Sequence, residues 1–182
     1  MRLSGGMLRN RSIPTPRGLA VRPTPGKVKE ALFSILGTRI VDARVLDLFA
    51  GSGAIGFEAL SRGAAYVTFV EMHAPTAAAI KATAERLELR DRVAVLPNSA
   101  KRAVARLNGR FDIVYADPPY AQEPPIAVFT ALRERGAIDV GTTLVYERRT
   151  GGTPLAGPGF SAVREAHYGE VTLQFLAVDA EQ

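Results

Sequence analysis

Apolar and polar residues follow two patterns along the chain, and these patterns predict strands and helices in turn. Short apolar runs bounded by glycine or polar residues are typical of buried strands, whereas apolar residues three and four positions apart indicate helices. The runs predict seven strands, at residues 45–50, 66–71, 93–96, 111–116, 143–147, 162–167 and 170–178. The helical spacing predicts five helices, at residues 27–36, 54–62, 74–87, 100–107 and 126–135.

The order of these elements predicts the fold class. Strands and helices alternate from residue 44 to residue 147, which requires a mostly parallel sheet covered by helices on both faces. The last two strands flank Tyr168 and Gly169 and are predicted to form an antiparallel hairpin. The sequence therefore predicts an α/β protein with a doubly wound, mostly parallel seven-stranded sheet. Its ligand is expected at the carboxyl ends of the strands, where the strand order reverses.

The first 25 residues have a composition of their own. They hold four prolines and three glycines, which favour an extended or irregular arm that adds little to the core. We therefore divide the chain into residues 1–40, a short arm followed by one helix, and residues 41–182, the domain that contains the predicted sheet.

Positive charge is concentrated in this arm. The whole chain has a net charge of +5, yet residues 1–29 carry seven basic residues and no acid, so the remainder is slightly acidic. A basic arm on a nearly neutral body is typical of a protein that binds nucleic acid, although a solvated tail has the same composition. The candidate nucleic-acid contacts are Arg2, Arg9, Arg11, Arg17 and Arg22.

Several classes of protein are disfavoured by what the sequence lacks. There is no cysteine, which excludes disulfides, thiolate zinc sites and iron–sulfur clusters, and the two histidines are far apart in sequence, so no metal site is predicted. No run of 18 apolar residues predicts a membrane helix, and the N-terminus has no apolar signal core. We expect a cytoplasmic, monomeric protein.

A glycine-rich segment between the first strand and the next helix predicts a cofactor site. Gly51 and Gly53, with Ser52 between them, let the backbone pass close to a ligand at the start of the helix. Glu71 ends the second strand about 20 residues later, where an acid can accept hydrogen bonds from two ribose hydroxyls. The same pattern suits a dinucleotide, but Asp47 favours the amino group of a methionine moiety.

A second motif, Asp117-Pro118-Pro119-Tyr120, follows the fourth strand. In a doubly wound sheet this position lies beside the glycine segment, where a second substrate would meet the cofactor. Asp117 and the carbonyl of Pro118 can accept the two N–H bonds of an exocyclic amine and stabilise positive charge that develops on its nitrogen. The prolines make the loop rigid, and Tyr120 can stack on a base.

These motifs resemble those of a known family. Residues 46–63, Val70-Glu71 and Asp117-Pro118-Pro119-Tyr120 resemble class I amino-methyltransferases, and residues 22–36 together with residues 2–6 are similar to the RsmD family. That family methylates N2 of a guanine in 16S ribosomal RNA of the small subunit. The resemblance implies a Rossmann-like class I methyltransferase fold that uses S-adenosylmethionine.

The resemblance also implies roles for individual residues. Asp47, Gly51, Gly53 and Glu71 are expected to contact S-adenosylmethionine, and Ser99 is expected near its adenine ring. The motif from residue 117 to residue 120 is expected to hold the guanine amine, and the arginines of the arm to bind ribosomal RNA.

Three other functions remain open from the sequence. A dinucleotide-dependent oxidoreductase would use the same glycines and Glu71 but leaves the motif at Asp117 without a role. A DNA adenine-N6 methyltransferase would use both motifs, although the chain has little room for a separate DNA-recognition domain. A non-enzymatic RNA-binding module is favoured only by the basic arm.

Overall fold

The computed structural model describes residues 1–14, 26–119 and 123–180, and it confirms the predicted fold class. The strands are β1 (Arg44–Asp47), β2 (Tyr66–Val70), β3 (Val93–Leu96), β4 (Ile113–Ala116), β5 (Thr143–Arg149), β6 (Phe160–Tyr168) and β7 (Val171–Val178). They form one sheet in the order β3-β2-β1-β4-β5-β7-β6. Strands β1 to β5 run parallel, whereas β7 is antiparallel to both β5 and β6, so the predicted terminal hairpin is present.

In the part of the chain that the structure describes, one α-helix precedes the first strand, four α-helices connect the parallel strands, and together they cover both faces of the sheet. They are α1 (Gly26–Leu36), α2 (Ala54–Ser61), α3 (Ala74–Arg86), α4 (Ala100–Ala103) and α5 (Ile126–Glu134). The predicted helix at residues 100–107 is shorter than expected, because a 3₁₀ turn (Val104–Arg106) replaces its second half. Among the described residues, no helix is long and apolar enough to cross a membrane.

Neighbouring residues of β1 pack into two separate hydrophobic cores, one on each face of the sheet. Val45 of β1 packs in the layer that contains α1, α2 and α3, whereas Leu46 packs on the opposite face with Phe129 of α5. Successive side chains of a strand point to opposite faces, so a strand buried on both sides reads as a continuous apolar run. This burial explains why the central strands could be predicted from short apolar runs.

The prediction that the arm adds little to the core is wrong. Leu3 and Ile13 are only 1% and 2% exposed and belong to the same core as α1 and α2. An antiparallel bridge between Arg2 and Ser12 closes this part of the arm into a loop. The first 14 residues are therefore part of the folded domain.

A buried carboxylate holds the arm on α2. Glu58 is fully buried, and it accepts hydrogen bonds from the backbone amides of Ser4 and Gly5, each at 2.9 Å. It also forms ion pairs with Lys29 of α1, at 2.5 Å, and with Arg62, at 2.8 Å. One side chain thus joins the arm, α1 and α2.

Candidate active site

The candidate site lies where the strand order reverses. The chain winds from β1 outward to β3 and then returns to place β4 on the other side of β1, with Asp47 in register with Tyr115. The Leu48 amide donates a 2.9 Å hydrogen bond to the Tyr115 carbonyl, which extends the pairing of β1 and β4 beyond the last paired residues. Ligands of doubly wound sheets bind outside the carboxyl ends of strands at such a reversal.

The glycine segment forms a tight turn between β1 and α2. Gly51 and Gly53 have φ values of +52° and +77°, a region that other residues rarely adopt. A Cβ atom on Gly56 would lie 2.2 Å from the ring of Phe69, so this glycine allows α2 to pack closely on β2. The turn leaves the backbone amides at the start of α2 facing the carboxyl edge of the sheet.

Glu71 lies directly beside this turn. Its Oε2 atom accepts a 2.9 Å hydrogen bond from the Gly51 amide, and its Oε1 atom accepts a 2.8 Å bond from the His73 amide. A carboxylate has about four acceptor positions, so Glu71 can accept further bonds from a ligand. Its half-buried position at the end of β2 leaves the side chain accessible from the turn.

Asp47 lies beneath the same turn and is only 1% exposed. Its Oδ2 atom accepts a 3.2 Å hydrogen bond from the Gly56 amide, whereas its buried Oδ1 atom has no partner in the described part of the chain. Burial raises the pKa of Asp47 to about 7, against the effect of the Gly56 bond. An unpartnered buried acceptor at this place suits a donor from a bound ligand.

Asp117 directly follows β4, which pairs with β1, and it lies close enough to Asp47 for the two charges to interact. Burial, the charge of Glu147 and the charge of Asp47 together raise the pKa of Asp117 to about 8. Pro118 is buried and Pro119 is exposed, while Tyr120 lies outside the described residues. The strand pairing therefore brings the acid of the second motif to the site formed by the first.

A fourth carboxylate in this region, Glu147, was not predicted from the sequence. Glu147 lies near the end of β5, is 3% exposed and accepts a hydrogen bond from the hydroxyl of Tyr115. Tyr115 is itself buried, and its hydroxyl reaches this carboxylate. The available signal was an acidic residue at the end of an otherwise apolar strand next to β4 in the sheet.

Ser99 lies three residues beyond β3 and precedes the first residue of α4. It is half-buried, and its side chain makes no hydrogen bond to the first turn of the helix. The Glu71 amide donates to the carbonyl of Leu96 at 3.1 Å, so the ends of β2 and β3 stay together. Ser99 thus follows the strand that pairs with the strand ending at Glu71.

Of the arginines predicted to bind nucleic acid, the three that the structure describes lie away from the glycine turn. Arg2, Arg9 and Arg11 are exposed, while Arg17 and Arg22 lie outside the described residues. Their arm contacts the carboxyl half of α2, where the Met7 amide donates to the carbonyl of Ser61 at 2.7 Å. The glycine turn lies at the other end of α2, about 12 Å away for eight residues of helix.

No cluster of three or more potential metal ligands occurs within residues 1–14, 26–119 and 123–180. The acids at the sheet edge are instead held by backbone amides and by the hydroxyl of Tyr115. The arrangement presents acceptor oxygens and a glycine turn, which suits recognition of a ligand with amine and hydroxyl donors.

The sheet order, with antiparallel β7 between β5 and β6, and the glycine turn at the order reversal define a Rossmann-like methyltransferase. Residues 1–177 match the model of the family described as "Conserved hypothetical protein 95", and the chain belongs to this family.

Named relatives agree with this assignment. The chain is 32% identical to "Ribosomal RNA small subunit methyltransferase D" of Escherichia coli (strain K12), over 100% of this chain and 91% of the relative. It is 37% identical to the protein of the same name from Haemophilus influenzae, over 66% of this chain and 64% of the relative.

A solved structure covers the whole chain as well. The structure described as "Putative methyltransferase yhhF from Escherichia coli" aligns with a TM-score of 0.87 and 31% identity, over 100% of this chain and 99% of the other. The arm, the sheet and the terminal hairpin thus belong to one shared architecture.

Proposed function

We propose that this protein transfers a methyl group from S-adenosylmethionine to the exocyclic N2 amine of a guanine in small-subunit (16S) ribosomal RNA. The observation that carries the proposal is the position of Asp117 beside the glycine turn, which the pairing of β1 with β4 creates. The substrate is proposed from relatives that are named as methyltransferases of small-subunit ribosomal RNA.

The residues around the turn fit S-adenosylmethionine. The unpartnered Oδ1 atom of Asp47 can accept a hydrogen bond from the ammonium group of the methionine moiety. Glu71 can accept bonds from the two ribose hydroxyls, and the backbone from Gly51 through Ser52 to Gly53 can approach the ligand closely. When bound, this cofactor supplies an electrophilic methyl group on its sulfonium sulfur.

Ser99 extends the same proposed site toward the adenine ring. It follows β3, which pairs with β2, and it is half-buried at the start of α4. A serine hydroxyl can both donate and accept a hydrogen bond, as the edge of an adenine ring requires.

Asp117 and the carbonyl of Pro118 would hold the target amine. The nitrogen of such an amine is a poor nucleophile because its lone pair is delocalised into the ring. Two acceptors that bind its N–H groups orient the lone pair and stabilise the positive charge that grows on nitrogen during transfer. Pro119 lacks an N–H donor, which keeps the loop an acceptor surface, and Tyr120 would stack on the base.

A proton must leave the nitrogen once the methyl group has been transferred. The nitrogen lone pair would form the new N–C bond as the bond between the methyl carbon and sulfur breaks and leaves its electron pair on sulfur. An N–H bond then breaks and returns its electrons to nitrogen. Asp117 as a carboxylate can take this proton, because its pKa of about 8 lies close to neutral pH. Orientation of the amine and stabilisation of its charge remain the larger contributions.

The arm would bind RNA away from the target base. Arg2, Arg9 and Arg11 are exposed on a loop fixed to the carboxyl half of α2. Arginines on a fixed loop suit contacts to phosphates, which position the RNA without reading its sequence. Arg17 and Arg22 are proposed to add to this surface from their positions in the sequence. We further propose that the protein acts as a cytoplasmic monomer.

Nucleoside analysis of cellular RNA tests the proposed substrate. Small-subunit ribosomal RNA from cells that lack the gene should contain one N2-methylguanosine fewer than RNA from cells in which the gene has been restored. A missing N6-methyladenine in DNA would instead favour the DNA methyltransferase. Calorimetric binding of NAD in preference to S-adenosylmethionine would favour the oxidoreductase, and either result would contradict the proposal.

A further inference from the structure

Three carboxylates at the carboxyl edge of the sheet interact electrostatically with the hydroxyl of one tyrosine, Tyr115. Tyr115 is buried within β4, and the charges of Glu147, Asp117 and Asp47 all raise the pKa of its hydroxyl, after burial itself. The function proposed above assigns Asp47 to the cofactor and Asp117 to the target amine. Glu147 has no role in that account.

The sheet register places Glu147 beside Asp117. Strands β4 and β5 are parallel, and their last pair is Ala116 with Tyr146, so Asp117 and Glu147 are the next residues on the two strands. Glu147 also pairs with Leu173 of β7, whose side chain is buried in the core. Its carboxylate therefore lies inside the protein, one strand away from the acid that contacts the target amine.

A buried acid in such a place is costly unless it is hydrogen-bonded or paired. The Tyr115 hydroxyl supplies one hydrogen bond to Glu147, and no ion pair with Glu147 occurs among the residues that the structure describes. The buried carboxylate of Glu58, by contrast, forms ion pairs with two cationic side chains, those of Lys29 and Arg62. Because the burial of Glu147 destabilises the protein and the residue lies beside Asp117, Glu147 is a candidate for a functional role.

We propose that Glu147 is a positioning residue for methyl transfer, which acts through Asp117 and is held in place by the Tyr115 hydroxyl. This inference rests on the proposed function of the same site. Repulsion between two buried carboxylates makes Asp117 a better proton acceptor, because a proton on Asp117 relieves the repulsion. Asp117 would then take the proton of the methylated amine, with an O–H bond forming as the N–H bond breaks.

Other groups near the pair bear on its titration. Among the described residues, Asp47 of β1 and Tyr146 of β5 also interact electrostatically with Asp117, and Arg148 acts on Tyr146. Burial raises the pKa of Glu147, and the hydrogen bond from Tyr115 opposes that effect. Glu147 is therefore the group whose removal changes the charge beside Asp117 while leaving the proposed amine and cofactor contacts in place.

The test is the substitution Glu147→Gln, which removes the charge and keeps an acceptor for Tyr115. In the wild type, the single-turnover rate of methyl transfer at saturating cofactor should rise with pH. The rising limb of this pH–rate profile should have its midpoint near pH 8, where Asp117 ionises. In the variant that limb should move to lower pH by about one pH unit, because a like charge has been removed. The variant should be about threefold faster than the wild type at pH 6.5 and slower at pH 9, because Asp117 is then a weaker base.

Two further variants distinguish this role from a structural one. Tyr115→Phe removes the hydrogen bond that stabilises the charged form of Glu147, so it should reduce the repulsion on Asp117. The rising limb should then shift in the same direction by a smaller amount. Glu165→Gln, on β6, neutralises another acid of the sheet that faces Arg148 rather than Asp117, and it should leave the limb in place. A uniform loss of rate at every pH in Glu147→Gln, with no shift of the limb, would overturn the proposal.

A direct titration separates this inference from the proposed function. Protein labelled with ¹³C at aspartate carboxyls allows the Asp117 signal to be assigned by its loss in Asp117→Asn. Its midpoint should lie near pH 8 in the wild type and lower in Glu147→Gln. An unchanged midpoint overturns the inference even if ribosomal RNA is methylated, whereas a wild type that methylates no RNA contradicts the proposed function.

Discussion

The Gly51 amide and the Glu71 carboxylate are joined by a 2.9 Å hydrogen bond, which connects the turn after β1 to the end of β2. The two residues are 20 positions apart, and the parallel pairing of the two strands brings them together. The bond orients the carboxylate toward the start of α2, where the proposed cofactor would lie. A ligand that binds Glu71 therefore also contacts a preformed turn.

The first prediction concerns Glu71→Gln. Because the glutamine amide has one acceptor oxygen in place of two and no charge, it cannot accept from Gly51, His73 and the ribose hydroxyls together, and we expect weaker S-adenosylmethionine binding by about 1.5–3 kcal/mol. Calorimetry measures the affinity, and the rate of methyl transfer at saturating cofactor should recover. Unchanged affinity would show that Glu71 only supports the turn.

The second prediction concerns the stability cost of Asp117. Its pKa rises from 3.8 to about 8 on folding, so the folded state holds a proton that the unfolded state releases between these pH values. The contribution of Asp117 to the free energy of unfolding should therefore fall as pH rises through this range, since that contribution is full only below pH 3.8. Asparagine at this position does not titrate, so Asp117→Asn lacks this pH-dependent contribution to stability.

We expect Asp117→Asn to be more stable than the wild type at pH 8 by about 1–2 kcal/mol, with a smaller difference at pH 5. Urea denaturation at the two pH values measures this difference. A variant that is less stable than the wild type at pH 8 would mean that Asp117 contributes to stability as a carboxylate.

The third prediction concerns the buried network at Glu58. Burial alone would raise the pKa of Glu58, but the hydrogen bonds from Lys29, Ser4 and Arg62 outweigh burial and lower the pKa below its ordinary value of 4.5. Glu58→Gln leaves the buried Lys29 without its counterion, and we expect a loss of about 3–5 kcal/mol in the free energy of unfolding.

The pH dependence of the same variant follows from the lowered pKa. The contribution of the Glu58 charge is present above pH 4.5 and is lost as pH falls through the folded-state pKa, so variant and wild type should converge in acid. Glu134→Gln, on the exposed side of α5, is the matched control and should change stability by less than about 0.5 kcal/mol. Denaturation curves that show equal stability for Glu58→Gln and its control would contradict the role of the network.

The fourth prediction concerns the arm. Because Arg9 and Arg11 are exposed, the double variant Arg9→Ala with Arg11→Ala should fold normally while it loses two phosphate contacts. The slope of log affinity for RNA against log salt should then flatten by about 1.4, at 0.7 for each contact to a single strand. Lys81→Ala with Arg135→Ala removes two exposed charges elsewhere and should leave the slope unchanged. Equal slopes for both double variants would identify the arm as a solvated surface.

The sheet could be predicted from the sequence because local signals were sufficient. Apolar runs such as residues 66–71 end at polar or glycine residues, and the alternation with helices determines a parallel sheet. The glycines at residues 51 and 53 were predicted to let the backbone pass close to a ligand, and the structure gives both a positive φ.

The anchoring of the arm and the role of Glu147 could not be predicted in the same way. Leu3 and Ile13 are isolated apolar residues among prolines, glycines and arginines, and nothing local indicates that they reach the core. Glu58 is the one acid in the otherwise apolar sequence of α2, and only the tertiary fold brings Lys29 and Ser4 to it. Contacts between distant parts of the chain leave no periodic signal.

The most direct test of the account measures methyl transfer from labelled S-adenosylmethionine to small ribosomal subunits purified from cells that lack the gene. The wild type should label one guanine at N2. Asp117→Ala should lower the single-turnover rate by about 10²–10³-fold, while S-adenosylmethionine affinity stays within a few-fold, because the residue is proposed to contact the amine rather than the cofactor. Wild-type turnover by Asp117→Ala, or label on a different base, would contradict the account.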